Sequence, residues 1–228
     1  MRGRIGRAVG RVVRGLQAGL LISIGGAVYL ACHGDALTCR AIGAVFFSVA
    51  LLCICKMGYS LYTGKIGFML ERHDGEAVSV LLWGLLGNLL STALFGSILR
   101  LGVPSAGETA AMLCTAKLSQ AWWQTLIRGV FCGVLMYLAV AIYRNSGSIV
   151  GILFCVPVFI LAGFEHSVAD AFYFAAAGMA LKADSVIFIT VTIIGNTIGA
   201  WVLPLMDIAT RAPATAGDTA DKHKQKKE

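Results

Sequence analysis

Glu165 and His166 stand side by side inside a long apolar run that extends from about 149 to 181. An ionisable residue at membrane depth is expensive to keep there and marks a functional site by default. Imidazole titrates near neutral pH, which suits His166 to proton exchange. Its plainer role is a hydrogen-bonded bridge between two helices. The pair belongs to an interruption, Gly163-Phe164-Glu165-His166-Ser167. A second interruption, Gly58-Tyr59-Ser60-Leu61-Tyr62-Thr63-Gly64-Lys65, lies in an earlier apolar run. Thr63 is read as the position matching His166, with a hydroxyl that can bond the imidazole, a ligand or only its own helix. Asn88 and Asn196 carry amides at equivalent depths. Asn88 is expected to clamp broken backbone, and Asn196 either to do the same or to contact His166. Lys117 is expected at the outer surface, opening a helix, where it either draws anions toward a pore or snorkels to the interface. Lys65 lies within the interruption itself. There it either raises the local anion concentration or forms a salt bridge with Asp170 or Glu165.

The elements that must position these groups are six apolar segments, at about 14–32, 41–70, 77–101, 118–143, 149–181 and 186–208. Residues 1–13 read as a basic N-terminal stretch, 14–208 as the membrane domain and 209–228 as a disordered basic tail. A polar loop with Gly and Pro is expected at 102–115. A spanning helix needs about 20 apolar residues. The second and fifth segments exceed one straight span, and polar backbone at depth is tolerated where it lines a cavity. Gly87-Asn88 and Gly195-Asn196 are 108 positions apart, and Gly58 and Gly163 are 105 apart. That near-constant displacement reads as two three-helix repeats, and an odd number of spans inverts the second copy. The expected fold is therefore an all-α membrane protein of six transmembrane helices in two inverted three-helix repeats, with helices two and five interrupted.

Composition agrees with this class. The 228 residues are 57% hydrophobic and 14% charged, with a mean hydropathy of +0.78. An average soluble domain is about 45–50% apolar and about 25% charged. Six spans leave no room for a soluble catalytic domain. The net charge of +7 comes largely from Arg2, Arg4, Arg7, Arg11 and Arg14 at one end and Lys222, Lys224, Lys226 and Lys227 at the other. This pattern reads as topogenic charge and not as a nucleic-acid surface. With both termini cytoplasmic, the inside holds twelve cationic residues and the outside four. The N-terminus reads as a first helix and not as a removable signal peptide. The seven Cys have no metal or disulfide spacing. Cys53, Cys55, Cys132 and Cys155 read as small buried hydrophobes, and Cys32 and Cys39, which flank a short loop, could pair only if that loop faces an oxidising compartment. Motifs for a metal-binding His pair, a phosphate-binding loop or a nucleophile elbow are not found. No cofactor and no enzymatic activity are expected, nor are the Asn-Pro-Ala repeats of a water channel present.

The chain resembles the formate/nitrite transporter family from about residue 15 to about 204. The match is most specific at Gly163-Phe164-Glu165-His166-Ser167-Val168-Ala169. Leu61-Tyr62-Thr63-Gly64 resembles the loop that interrupts the family's second helix, and Gly195-Asn196-Thr197-Ile198-Gly199 its sixth-helix motif. The resemblance implies a homopentamer of aquaporin-like protomers in the cell (inner) membrane, each passing small monovalent weak-acid anions. It implies that His166 is the central proton-exchange residue, Thr63 its loop partner, Asn196 its amide partner and Lys117 the charge of the outer vestibule. It further implies that Phe47, Leu51 and Phe159 form the hydrophobic constriction, with Leu61 and Met136 as further candidates. Three positions depart from the family pattern: Cys132-Gly133 where an amide is usual, Asp170 where Asn is usual, and Lys65 beside the Thr loop. Gly133 is expected to widen the pore or leave space for water.

The expected function is thus passage of formate, nitrite or a similar anion, with membrane lipids and further copies of the chain as partners. Hydrosulfide, acetate or lactate are alternative substrates within the same family. A neutral-solute channel and a non-transporting sensor or scaffold are the rival classes.

Overall fold

The computed structural model describes residues 2–34 and 36–210. Among them nine α-helices and one 3-10 turn account for the regular structure, and no strand is present. Five helices are long and apolar enough to cross a membrane. These are α1 (Arg2–Ala31), α2 (Leu37–Met57), α4 (Gly75–Gly102), α6 (Trp122–Ser146) and α9 (Ala183–Thr210). The shorter ones are α3 (Tyr62–Lys65), which runs into the 3-10 turn Ile66–Leu70, then α5 (Pro104–Leu118), α7 (Val150–Leu161) and α8 (Ser167–Ala176).

Polarity is distributed in reverse of a soluble domain. Asn88, Asn196, Thr63, Glu165, His166 and Asp170 are buried, while Phe46, Leu90, Leu94, Phe131, Phe154 and Ile187 are exposed. Large apolar side chains on the outside and polar ones within suit a hydrocarbon solvent. Together with five helices of spanning length, this distribution fits a chain that crosses a membrane more than once.

Helix pairs repeat along the chain. α1 packs on α4 and α2, and α6 packs on α9 and α7. The closest approaches use glycine. A Cβ at Gly133 of α6 would strike the Asn196 carbonyl, and one at Gly199 of α9 would strike the Val130 carbonyl. Gly133 is therefore a helix-crossing residue pressed against α9. It does not widen a pore, and the volume freed by the absent amide is filled by backbone.

Both interruptions are built the same way. α2 ends at Gly58 with φ +69°, and the break after α7 holds Gly163 with φ +69°. The left-handed conformation suits Gly and lets the next amide turn back onto the helix end. Tyr59 N–H donates to Ile54 O at 3.0 Å, and Phe164 N–H donates to Phe159 O at 2.9 Å. An asparagine then holds each broken segment. Asn88 accepts from Tyr62 N–H at 2.9 Å and donates to Ser60 O at 2.8 Å and Gly15 O at 2.9 Å. Asn196 accepts from Ser167 N–H at 2.9 Å and donates to Glu165 O at 2.8 Å and Gly129 O at 2.9 Å. In hydrocarbon the freed groups have no water to turn to, so each amide replaces two lost partners and ties the break to a carbonyl of a neighbouring helix, Gly15 of α1 or Gly129 of α6.

The two clamps make Leu61, not Thr63, the position that corresponds to His166, because each of the two residues lies between the clamped carbonyl and the clamped amide. Two other expectations change. The stretch 102–115 is not a loop but most of α5, which starts with Pro104 in its first turn, where a missing N–H costs nothing. The basic N-terminal stretch is helical from Arg2, and Arg11 bonds Ser79 at 2.6 Å and Glu76 at 3.3 Å. Of the expected disordered tail, Ala209 and Thr210 lie in α9, and 211–228 fall outside the described residues. The seven Cys are free, including Cys32 and Cys39.

Candidate functional site

His166 is the N-cap of α8. Its Nδ1 accepts the Ala169 N–H at 3.1 Å, which satisfies one of the orphan donors of the first turn. A neutral imidazole that accepts at Nδ1 carries its proton at Nε2. Nε2 is 2.8 Å from Thr63 Oγ1, so the ring donates to the hydroxyl. Thr63 is left with its own hydrogen free to donate onward. Phe159 stacks on the imidazole at 5.6 Å between centroids, and Phe47 meets Phe159 edge-on at 6.5 Å.

One residue before the histidine, Glu165 turns to the opposite side and binds Lys117. Gln120 Nε2 donates to its other oxygen at 3.0 Å. Asp170, in the first turn of α8, holds the same ammonium at 2.9 Å. The side chains of Lys117, Glu165 and Asp170 are 12%, 1% and 2% exposed, so one buried cation serves two buried carboxylates. The Tyr173 and Phe188 rings lie about the ammonium at 6.0 and 5.9 Å. Asp170 Oδ2 has no hydrogen-bond partner among the described residues.

Two cavities approach this centre. The smaller, about 80 Å³, is lined by His166, Phe47, Phe159, Lys117, Asp170 and Tyr173. The larger, about 410 Å³, is lined among others by Leu51, Leu61, Gly64 and Lys65. Phe47 and Leu51 are one turn apart on α2 yet face different cavities, so the wall between the cavities falls at that turn. Leu51, Leu61, Phe47 and Phe159 are all buried.

The formate/nitrite transporter family model matches residues 6–208. The chain belongs to the formate/nitrite transporter family. Formate-nitrite transporter 2 of Toxoplasma gondii is 28% identical over 186 residues, which is 73% of this chain and 40% of that protein. The uncharacterized transporter YrhG of Bacillus subtilis is 28% identical over 213 residues, 82% of this chain and 79% of the relative. Formate channel FocB of Escherichia coli is 25% identical over 177 residues, 69% of this chain and 62% of the relative. The chain thus spans less than two thirds of the Toxoplasma and Escherichia relatives. Among solved structures, an FNT family ion channel superposes with a TM-score of 0.78 at 21% identity, covering 93% of this chain and 94% of that one. A structure described as a pentameric formate channel with formate bound gives 0.69 at 22% identity, covering 88% and 96%. These structural likenesses carry the fold.

Within this family fold, His166, Thr63, Phe47 and Phe159 come together. Asn196 does not meet the imidazole, because its amide is fully engaged with three backbone groups. Met136 is buried in the core and lines neither cavity. Lys117 closes α5, is largely withdrawn from the surface at the edge of the smaller cavity, and is not a cation snorkelling to the interface. Lys65 forms no pair with Glu165 or Asp170, which both belong to Lys117. Gln120 is a site residue that the sequence reading missed. Asp170 was named only as one alternative partner of Lys65, and the structure gives it to Lys117. No local pattern links positions 117 and 120 to 165 and 170, since only the fold brings α5 against α8.

Proposed function

We propose that this protein is a channel for small monovalent weak-acid anions, formate or nitrite foremost, working as a homopentamer with one pore in each protomer. In this reading the chain crosses the cell (inner) membrane six times, through α1, the interrupted α2–α3 segment, α4, α6, the interrupted α7–α8 segment and α9, as two inverted three-helix repeats. Both termini are cytoplasmic. The contact of Arg11 with Glu76, and of Arg144 with Glu71, supports grouping Arg72 and Arg144 with the Arg-rich N-terminus on one side. The exposed apolar faces suit lipid and neighbouring protomers.

The observation that carries the proposal is the Thr63–His166 hydrogen bond beside the smaller cavity and next to the Phe47–Phe159 pair. A charged side chain at the centre of a spanning helix already costs about 2.5–3.5 kcal/mol on insertion scales, and a free anion without a protein partner costs more. Protonation of a weak-acid anion removes that cost. Lys117, held by two carboxylates, is not a free attractor of anions. With both carboxylates ionised the cluster is formally −1, and one proton makes it neutral. The acid therefore passes this vestibule together with its proton, and crosses the apolar wall as a neutral molecule. Thr63, oriented by Nε2–H, donates a hydrogen bond to it there. The imidazole can release a proton to the pore only after both ring nitrogens carry one. That second proton displaces the Ala169 N–H from Nδ1, so proton exchange and the N-cap of α8 are coupled.

Purified protein in liposomes tests this reading. Formate and nitrite should equilibrate saturably and faster as pH falls, with acetate and lactate slower because the buried aromatic and aliphatic wall limits size. Hydrosulfide belongs in the same series as the alternative small anion. Flux of none of these above that of protein-free liposomes would refute the proposal.

A further inference from the structure

We propose that the larger cavity is a binding site for monocarboxylates with an apolar body, the carboxylate resting on Lys65 and the hydrocarbon on the cavity wall. The inference rests on the channel reading only for its consequence, which is a plug at the N-terminal mouth of the pore. Four charged side chains line this cavity: Lys65, Glu71, Arg72 and Arg144. Three of them are matched. Arg72 Nε is 2.7 Å from Asp74 Oδ2. Arg144 is 3.7 Å from Glu71 and lies over the Phe68 ring at 3.9 Å. Lys65 makes no ion pair or hydrogen bond among the described residues, although it is partly buried. Its charged neighbours Arg14 and Arg144 are of the same sign. An ammonium drawn out of water without a partner is an unfavourable arrangement that a bound anion relieves.

The wall explains why the anion should be more than formate. Leu51, Ile54, Leu61, Phe68 and Val140 give the cavity a mostly apolar lining. Its volume of about 410 Å³ lies in the range of organic-ligand sites, about 300–1,000 Å³. Formate presents charge without hydrocarbon and leaves that wall wet. A carboxylate with a ring or short chain satisfies the ammonium and covers the wall at once. The buried Leu51 and Leu61 stop it from going further, so it binds without crossing.

Benzoate is the probe. Calorimetric titration of the full chain in detergent should give saturable binding, at least tenfold tighter than benzyl alcohol or formate. Lys65→Asn should weaken it tenfold or more, Lys65→Arg should keep it within a few-fold, and Lys56→Asn, a cation over the Tyr143 ring and outside this lining, should leave it unchanged. In liposomes benzoate should slow formate flux through the wild type and not through Lys65→Asn. Equal benzoate affinity in wild type and Lys65→Asn would overturn the proposal, as would no binding to the wild type. Binding is read without flux, so loss of the channel reading and loss of this site are separate results.

Discussion

Replacing Lys117 by methionine is expected to destabilise the protein by about 3–5 kcal/mol, the usual cost of leaving a buried ion without its partner. The side chain is a near-isosteric apolar stem, so the loss is one of charge and hydrogen bonds and not of volume. Lys117 is the only ammonium bound to Glu165 and Asp170 among the described residues, and both carboxylates are almost fully buried. Removing it leaves two like charges in one apolar pocket between α5 and α8. The expected observation is a sharp drop in thermal midpoint in detergent and poor recovery of monodisperse protein. Adding Glu165→Gln and Asp170→Asn to Lys117→Met should restore much of that loss, because amides need no counter-charge. A Lys117→Met protein with a wild-type midpoint would show that the triad is not a buried ionic cluster.

Asn196→Leu is expected to be as damaging, and Asn88→Leu should match it. Each amide is the partner of two backbone groups freed by the break, and each of these left without a partner costs about 1–3 kcal/mol, while the third bond, to a carbonyl inside α1 or α6, holds the segment in place. The effects are not additive, but water cannot reach the groups across Leu, which fills the space of the amide. Both variants should fail to give a stable, monodisperse protein. Asn→Ala at either site should be milder, since the smaller side chain leaves room for water to bridge the carbonyls. Wild-type stability of either Leu variant would mean that the interruptions are held by something else. A large difference between the two would mean that the clamps are not equivalent.

The interruptions and their asparagines were legible because their signal is local. A glycine followed within a few residues by polar side chains, inside a long apolar run, has few meanings in a membrane. The displacement of 105–108 positions between the two interruptions and their asparagines is itself a property of the sequence. The partners of Lys117 were not legible. Positions 117 and 165 are far apart in the chain, and residues 102–115 were read as loop for their Gly and Pro. Pro104 at a first turn, followed by Ala106, Ala110, Ala111 and Met112, carried a helix-start signal that was available and outweighed. Arg4, Arg7, Arg11 and Arg14 recur at three- and four-residue spacing, a helical face that reads as a charge run when only hydropathy is followed. Gly133 was misread for a different reason. A missing side chain suggests empty space until the opposing helix is known, and here α9 occupies it.

His166 in this account does two separable things: it caps α8 through Nδ1 and it exchanges a proton. His166→Asn separates them, because an Asn oxygen still accepts the Ala169 N–H but does not titrate. The decisive measurement is formate flux into liposomes over about pH 5 to about pH 8, with rates divided by the formic acid concentration, for wild type beside His166→Asn. The account predicts a residual pH dependence in the wild type that vanishes in a folded His166→Asn protein. A His166→Asn channel with the wild-type pH profile would contradict it.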